Sequence, residues 1–135
     1  MREDKAAKAP GDGAESRILV IDDDRKLCRL IREYLEPNGY EVETVHSGPD
    51  GLERAQSDQF SAVILDVMLP GMDGFEVCRQ LRADEELDDV HIIMLTTMGM
   101  EADRQRALDS GVSTFLTKPF DAEEVLSLLE TLFDD

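Results

Sequence analysis

At 135 residues, with 41% hydrophobic and 33% charged positions, the chain is long enough for one well-developed core and too apolar to stay unfolded. Fourteen Lys and Arg against 31 Asp and Glu leave a formal charge of −17, which repels a phosphate backbone and an anionic bilayer, so neither direct nucleic-acid binding nor membrane association is expected. No apolar run reaches the length of a membrane span and the N-terminus lacks the regions of a signal peptide, so a cytoplasmic setting is expected.

Residues 1–16 mix charges with Ala, Pro10, Gly11 and Gly13 without apolar periodicity and read as a mobile tail ahead of one domain over 17–135. A first strand is predicted over 18–21, running straight into Asp22, Asp23 and Asp24. Leu27, Leu30, Ile31, Tyr34 and Leu35 then recur at helical spacing up to the stop Pro37-Asn38-Gly39. A second strand over 40–45 leads to Ser47, placed to cap a helix with Pro49 in its first turn and Leu52 and Ala55 facing inward.

The apolar run from Ala62 to Leu65 ends at a single carboxylate, Asp66, and Pro70, Gly71 and Gly74 mark a loop after it. With no polar alternation, this run reads as a strand covered on both faces. Phe75, Val77, Cys78 and Leu81 form the inner face of a third helix, and the acidic stretch 84–89 is a surface connection. A fourth strand over 91–95 runs into Thr96-Thr97. A fourth helix is suggested by Ala102, Arg106 and Ala107, with so thin an apolar face that it should be the least firmly packed. A last strand over 113–116 meets Thr117-Lys118-Pro119, and Asp121 is placed to cap a helix carrying Val125, Leu128, Leu129 and Leu132 on its inner face. Five strands alternating with five helices imply an α/β fold with a parallel sheet and right-handed crossovers.

In such a sheet ligands sit beyond the carboxyl ends of the strands. Three carboxylates, a hydroxyl and an ammonium group therefore converge on one edge. A glycine-rich phosphate loop is absent. His46 and His91 lack partners at metal-ligand spacing and read as surface or edge residues. Cys28 and Cys78, far apart and each in a helical pattern, read as small buried hydrophobes in a reducing cytosol.

The pattern Ile18-Leu19-Val20-Ile21-Asp22-Asp23-Asp24, then Leu65-Asp66-Val67-Met68-Leu69-Pro70-Gly71-Met72-Asp73-Gly74, then Met94-Leu95-Thr96, then Phe115-Leu116-Thr117-Lys118-Pro119-Phe120 resembles the receiver domain of bacterial two-component response regulators. No one motif is unique, but the four in this order and at these separations are highly specific. The resemblance runs from about Arg17 to the C-terminus. It implies a flavodoxin-like, doubly wound five-stranded sheet of order 2-1-3-4-5. It makes Asp66 the phosphoacceptor, Asp23 a direct Mg²⁺ ligand, Asp22 a ligand through water and the Met68 backbone carbonyl a further ligand, with Asp66 itself also binding the ion. Lys118 and Thr96 would serve the phosphoryl oxygens, Thr96 and Phe115 would form the switch, and Met68 and Met98 would flank the phosphoryl group.

The function implied is a phosphorylation-dependent signalling switch, catalysing only its own phosphorylation and dephosphorylation. It would be served by a histidine kinase or a histidine phosphotransfer protein. Its output, through the face of the fourth helix, fifth strand and fifth helix, would reach a protein partner or an effector domain outside this chain. Two other readings compete: a pseudo-receiver that binds partners without phosphorylation, and a phosphatase of the haloacid-dehalogenase type. The phosphatase reading expects a second acid two residues after the nucleophile, where this chain has Met68. The segment after Lys118 carries Asp121, Glu123, Glu124, Glu130, Asp134 and Asp135 and no Lys or Arg. A monomer is therefore expected, because a symmetric interface would place that charge against its own copy.

Overall fold

The computed structural model describes residues 17–97 and 101–133, apart from the side chains of 101–103. The expected tail over 1–16, Met98, Asp134 and Asp135 lie outside the described residues. In chain order the elements are β1 (Arg17–Ile21), α1 (Arg25–Leu35), β2 (Glu41–Val45), α2 (Gly48–Ser57), β3 (Ala62–Asp66), α3 (Gly74–Arg82), β4 (His91–Thr96), α4 (Glu101–Asp109), β5 (Thr114–Thr117) and α5 (Ala122–Phe133). Every strand pairing is parallel, in the order β2-β1-β3-β4-β5. This is the doubly wound arrangement expected.

Alternation along the strands builds two cores. Ile18 and Val20 face one way with Ile64 and Ile93, under Cys28, Ile31 and Leu35 of α1 and Val125 and Leu129 of α5. Leu19 and Ile21 face the other way with Leu65 and Met94, under Ala55 of α2, Phe75, Val77 and Leu81 of α3 and Ala107 of α4. All five residues of β3 are buried, as its unbroken apolar run predicts for a central strand.

The boundaries differ in small ways from those read in the sequence. The second strand starts at Glu41, the fourth includes Thr96, and the last runs from Thr114 to Thr117. The acidic connection contains a short 3₁₀ turn, Glu85–Leu87. On α1 the inner face is Cys28, Ile31 and Leu35, whereas Leu30 and Tyr34 are exposed. The Asp24 carboxylate caps the helix, accepting from the Leu27 amide at 3.0 Å, and residues 28, 31 and 35 fall on the one stripe that packs against the sheet and α5. Ser47 caps α2 through the Asp50 amide, as expected. At the start of α5 the Glu124 carboxylate accepts from the Asp121 amide, one half of a capping box. Ala107 is the buried apolar side chain described on α4, and Leu108 is 53% exposed.

Candidate active site

Strand register builds the site. Ile21 lies opposite Leu65, so Asp22 and Asp66 follow on neighbouring strands at the same level. Asp66 lies opposite Leu95, which places Thr96 one residue further along. Thr96 lies opposite Thr117, and the Lys118 amide donates to the Thr96 carbonyl at 2.7 Å. The chain crosses to opposite sides of β1 in reaching β2 and β3, so this edge is the topological switch point.

Carboxylate oxygens of Asp22, Asp23 and Asp66 all lie within 4.8 Å of one another. Asp22 is fully buried and Asp23 exposed at the mouth. The Lys118 ammonium donates to Asp22 Oδ2 at 3.2 Å and lies 3.4 Å from Asp66 Oδ1. Asp22 Oδ1 accepts from the Asp24 amide at 2.9 Å, which holds the acidic turn in place. Burial, and then the Asp22 charge, push the Asp66 carboxyl up to about 6, with Lys118 and the Met68 amide opposing. Burial works against the Lys118 charge, but Asp22 and Asp66 outweigh it and raise its pKa.

Asp23, Asp66 and Lys118 line a cleft of about 750 Å³ with Met68, Leu69, Pro70, Asp73, Phe75, Thr97 and Arg106, and Asp22 lies buried behind it. Its floor depends on Gly74. A Cβ there would come within 2.3 Å of the Asp66 carbonyl oxygen and 2.8 Å of the Val67 Cα. The Gly74 amide also donates to the Val67 carbonyl at 2.7 Å. Thr96 is buried and lines both the cleft and a small cavity shared with Met94, Phe75, Ala107, Arg104 and Phe115. Phe115 is half-buried beneath the Arg104 guanidinium, 4.9 Å from the ring centre. The Lys118-Pro119 peptide is cis.

Asp22, Asp23, Asp66, Met68, Thr96 and Lys118, singled out in the sequence, thus gather in one place. Three further neighbours were not foreseen. His46, read as a surface residue, is half-buried, and its Nδ1–H donates to the Asp22 carbonyl at 3.0 Å. The Cys28 thiol donates to the same oxygen at 3.3 Å, and burial pushes that thiol up to about 12, so it stays protonated as a donor. Pairing of β1 with β2, with the Asp22 amide on the Val45 carbonyl at 3.1 Å, brings His46 there. Arg106, read in the sequence as part of a helical pattern and not as a site residue, lines the cleft.

Residues 18–130 match the family described as the response regulator receiver domain. This chain belongs to that family. The receiver domain is 46% identical over 116 residues to the response regulator MprA of Mycobacterium ulcerans, covering 86% of this chain and 49% of that one. It therefore spans about half the length of the curated relatives it matches. Among solved structures it resembles the chemotaxis response regulator CheY4 of Vibrio cholerae, with a TM-score of 0.83 and 32% identity over 87% of this chain and 98% of the other. It also resembles the receiver domain of the sensor histidine kinase PA1611 of Pseudomonas aeruginosa, which was solved with a magnesium ion coordinated in its active site cleft. That match has a TM-score of 0.81 and 30% identity over 89% of this chain and 98% of the other.

Proposed function

We propose that this receiver domain switches by accepting a phosphoryl group on Asp66. The observation that carries the reading is a buried carboxylate at the base of an open cleft, held by a lysine it shares with a second, fully buried carboxylate. With its pKa near 6, Asp66 is mostly ionised at pH 7 and is available as a nucleophile. One carboxylate oxygen forms the new O–P bond while the bond from phosphorus to the donor's imidazole nitrogen breaks, and that nitrogen keeps the electron pair. Lys118 is placed to follow the negative charge from the carboxylate to a phosphoryl oxygen, and the Thr96 hydroxyl to approach another. The donor is a histidine kinase or a histidine phosphotransfer protein, and the chain acts on no substrate but its own aspartate.

The donor set suits Mg²⁺, because three carboxylates within 4.8 Å offer only oxygen and leave room for water. Asp23 and Asp66 would hold the ion directly, with the Met68 carbonyl, and Asp22 through water. When bound, the ion would supply charge neutralisation to the crowded carboxylates and the transferring oxygens. Mg²⁺ is expected to raise the melting temperature by binding the native state, by RT ln(1 + [L]/Kd). Asp23→Ala should abolish this rise, and Asp22→Ala should only reduce it. A wild-type melt insensitive to millimolar Mg²⁺ would count against the site.

Incubation with Mg²⁺ and phosphoramidate tests the function. A single acid-stable, base-labile adduct supports the switch. No adduct supports the pseudo-receiver, and many turnovers support the phosphatase. Met68 speaks against the phosphatase, since a 70% exposed thioether stands where that chemistry needs an acid.

The output is a change in the α4–β5–α5 face, biased as Thr96 moves and Phe115 enters the space beside it. On that face Asp121, Glu123, Glu124 and Glu130 are exposed. Arg104 and Arg106 lie over the rings of Phe115 and Phe75, and two cations are too few to balance this acidic charge twice across a symmetric interface. Light scattering of the beryllofluoride-loaded protein is therefore expected to give a monomer at micromolar concentration, available to a partner with a basic surface. A dimer at moderate salt would overturn the charge argument. The setting we infer is the cytoplasm, consistent with two buried, unpaired cysteines and with no described helix long and apolar enough to cross a membrane.

A further inference from the structure

We propose that Arg106 is a second anion-binding residue of the cleft, engaging the phosphoryl group on Asp66 and tying its charge directly to helix α4. The inference rests on the reading of Asp66 as the phosphoacceptor. Arg106 lines the same cleft as Asp23, Asp66, Thr96 and Lys118. Its guanidinium lies 4.2 Å from the centre of the Phe75 ring, and among the described residues it forms no ion pair. Phe75 is buried and follows Gly74, whose Cα is pressed against the Asp66 carbonyl. The ring thus forms a platform beside the acceptor.

Stacking uses the flat face of a guanidinium and leaves its in-plane N–H groups free to donate. The other cation of the cleft, Lys118, is shared between Asp22 and Asp66 and brings a single ammonium to the phosphoryl group. A phosphoryl group adds roughly two negative charges and three acceptor oxygens, each able to accept more than once, so an ammonium, a hydroxyl and a bound Mg²⁺ would leave acceptor capacity for a further donor. Arg106 is the remaining described cation lining the cleft. Its helix is lightly held, with Ala107 as its described buried apolar side chain, so a pull on Arg106 meets little resistance from packing.

The test measures two affinities by calorimetry: Mg²⁺ alone, and beryllofluoride in saturating Mg²⁺. Arg106→Gln is expected to weaken beryllofluoride binding about fivefold, as for a partly exposed charge-assisted contact, while Mg²⁺ binding stays equal or tightens. Arg106→Lys should recover part of the loss. Arg79→Gln, which removes the same charge from α3 outside the cleft, should change neither affinity. Unchanged beryllofluoride affinity in Arg106→Gln overturns the proposal, and so does a parallel loss of both affinities, which marks a general structural effect. If the wild type binds no beryllofluoride and forms no adduct, the reading of Asp66 fails, and this inference with it.

Discussion

In Mg²⁺ and phosphoramidate, Asp66→Asn is expected to acquire no phosphoryl group, while the wild type is labelled once per chain. The amide keeps the shape of the side chain and can still accept from the Met68 amide, 3.4 Å away in the wild type. It has no carboxylate electron pair with which to form an acyl phosphate. No other carboxylate substitutes, because Asp22 is fully buried and Asp23 stands at the mouth without the lysine that Asp22 and Asp66 share. Intact mass reads the result directly, and wild-type labelling of the variant would show that the acceptor is elsewhere.

The same substitution carries a pH signature in the metal-free protein. Asp66 is an acid whose folded pKa, about 6, lies above the ordinary value of 3.8. Between those values the native state binds more protons than the unfolded state, so wild-type stability falls as pH rises through that window. Above pH 6 the full cost of the buried charge is present, and below 3.8 it has gone. Asp66→Asn should therefore be more stable than wild type at pH 7.5, by on the order of 1–2 kcal/mol, and the difference should shrink towards pH 4. Denaturant melts at the two pH values measure this. A difference that grows on acidification would contradict the sign.

Gly74→Ala is expected to cost about 3 kcal/mol, or a fall in Tm of roughly 10 °C, and to slow phosphorylation as well. The atoms its Cβ would meet are the backbone of Asp66 and Val67, at 2.3 and 2.8 Å, and backbone at the end of a central strand cannot rotate aside. Relief requires moving either the N-terminus of α3 or Asp66 itself. Gly39→Ala is the contrasting case. Gly39 has φ of 101°, but nothing lies within 4 Å of the place a Cβ would take, so the cost is only the left-handed backbone, about 1–2 kcal/mol. Calorimetric melts of the two variants separate close approach from backbone strain. Equal losses at both positions would refute the contact argument.

The sequence by itself determined the sheet and most of the site. Unbroken apolar runs of strand length marked β1, β3 and β4 as buried strands, and each run stops at a polar residue of the site: Asp22, Asp66 and Thr96. Local pattern is enough here because a strand buried on both faces keeps polar residues to its ends, where it reaches the edge of the sheet. Pairing and phase were decided only by tertiary structure. Leu30 and Tyr34 fit the helical period of α1 as well as Cys28 does, yet they face solvent, because α1 docks on the sheet and α5 through Cys28, Ile31 and Leu35. His46 carries no local signal of its contact with the Asp22 carbonyl, 24 residues away, since that contact follows from the register of β2 on β1. Arg106 sits in a helix with almost no apolar periodicity. Its place over Phe75 arises from the packing of α4 beside α3, which brings together side chains 31 positions apart and leaves no trace in the local pattern of either helix.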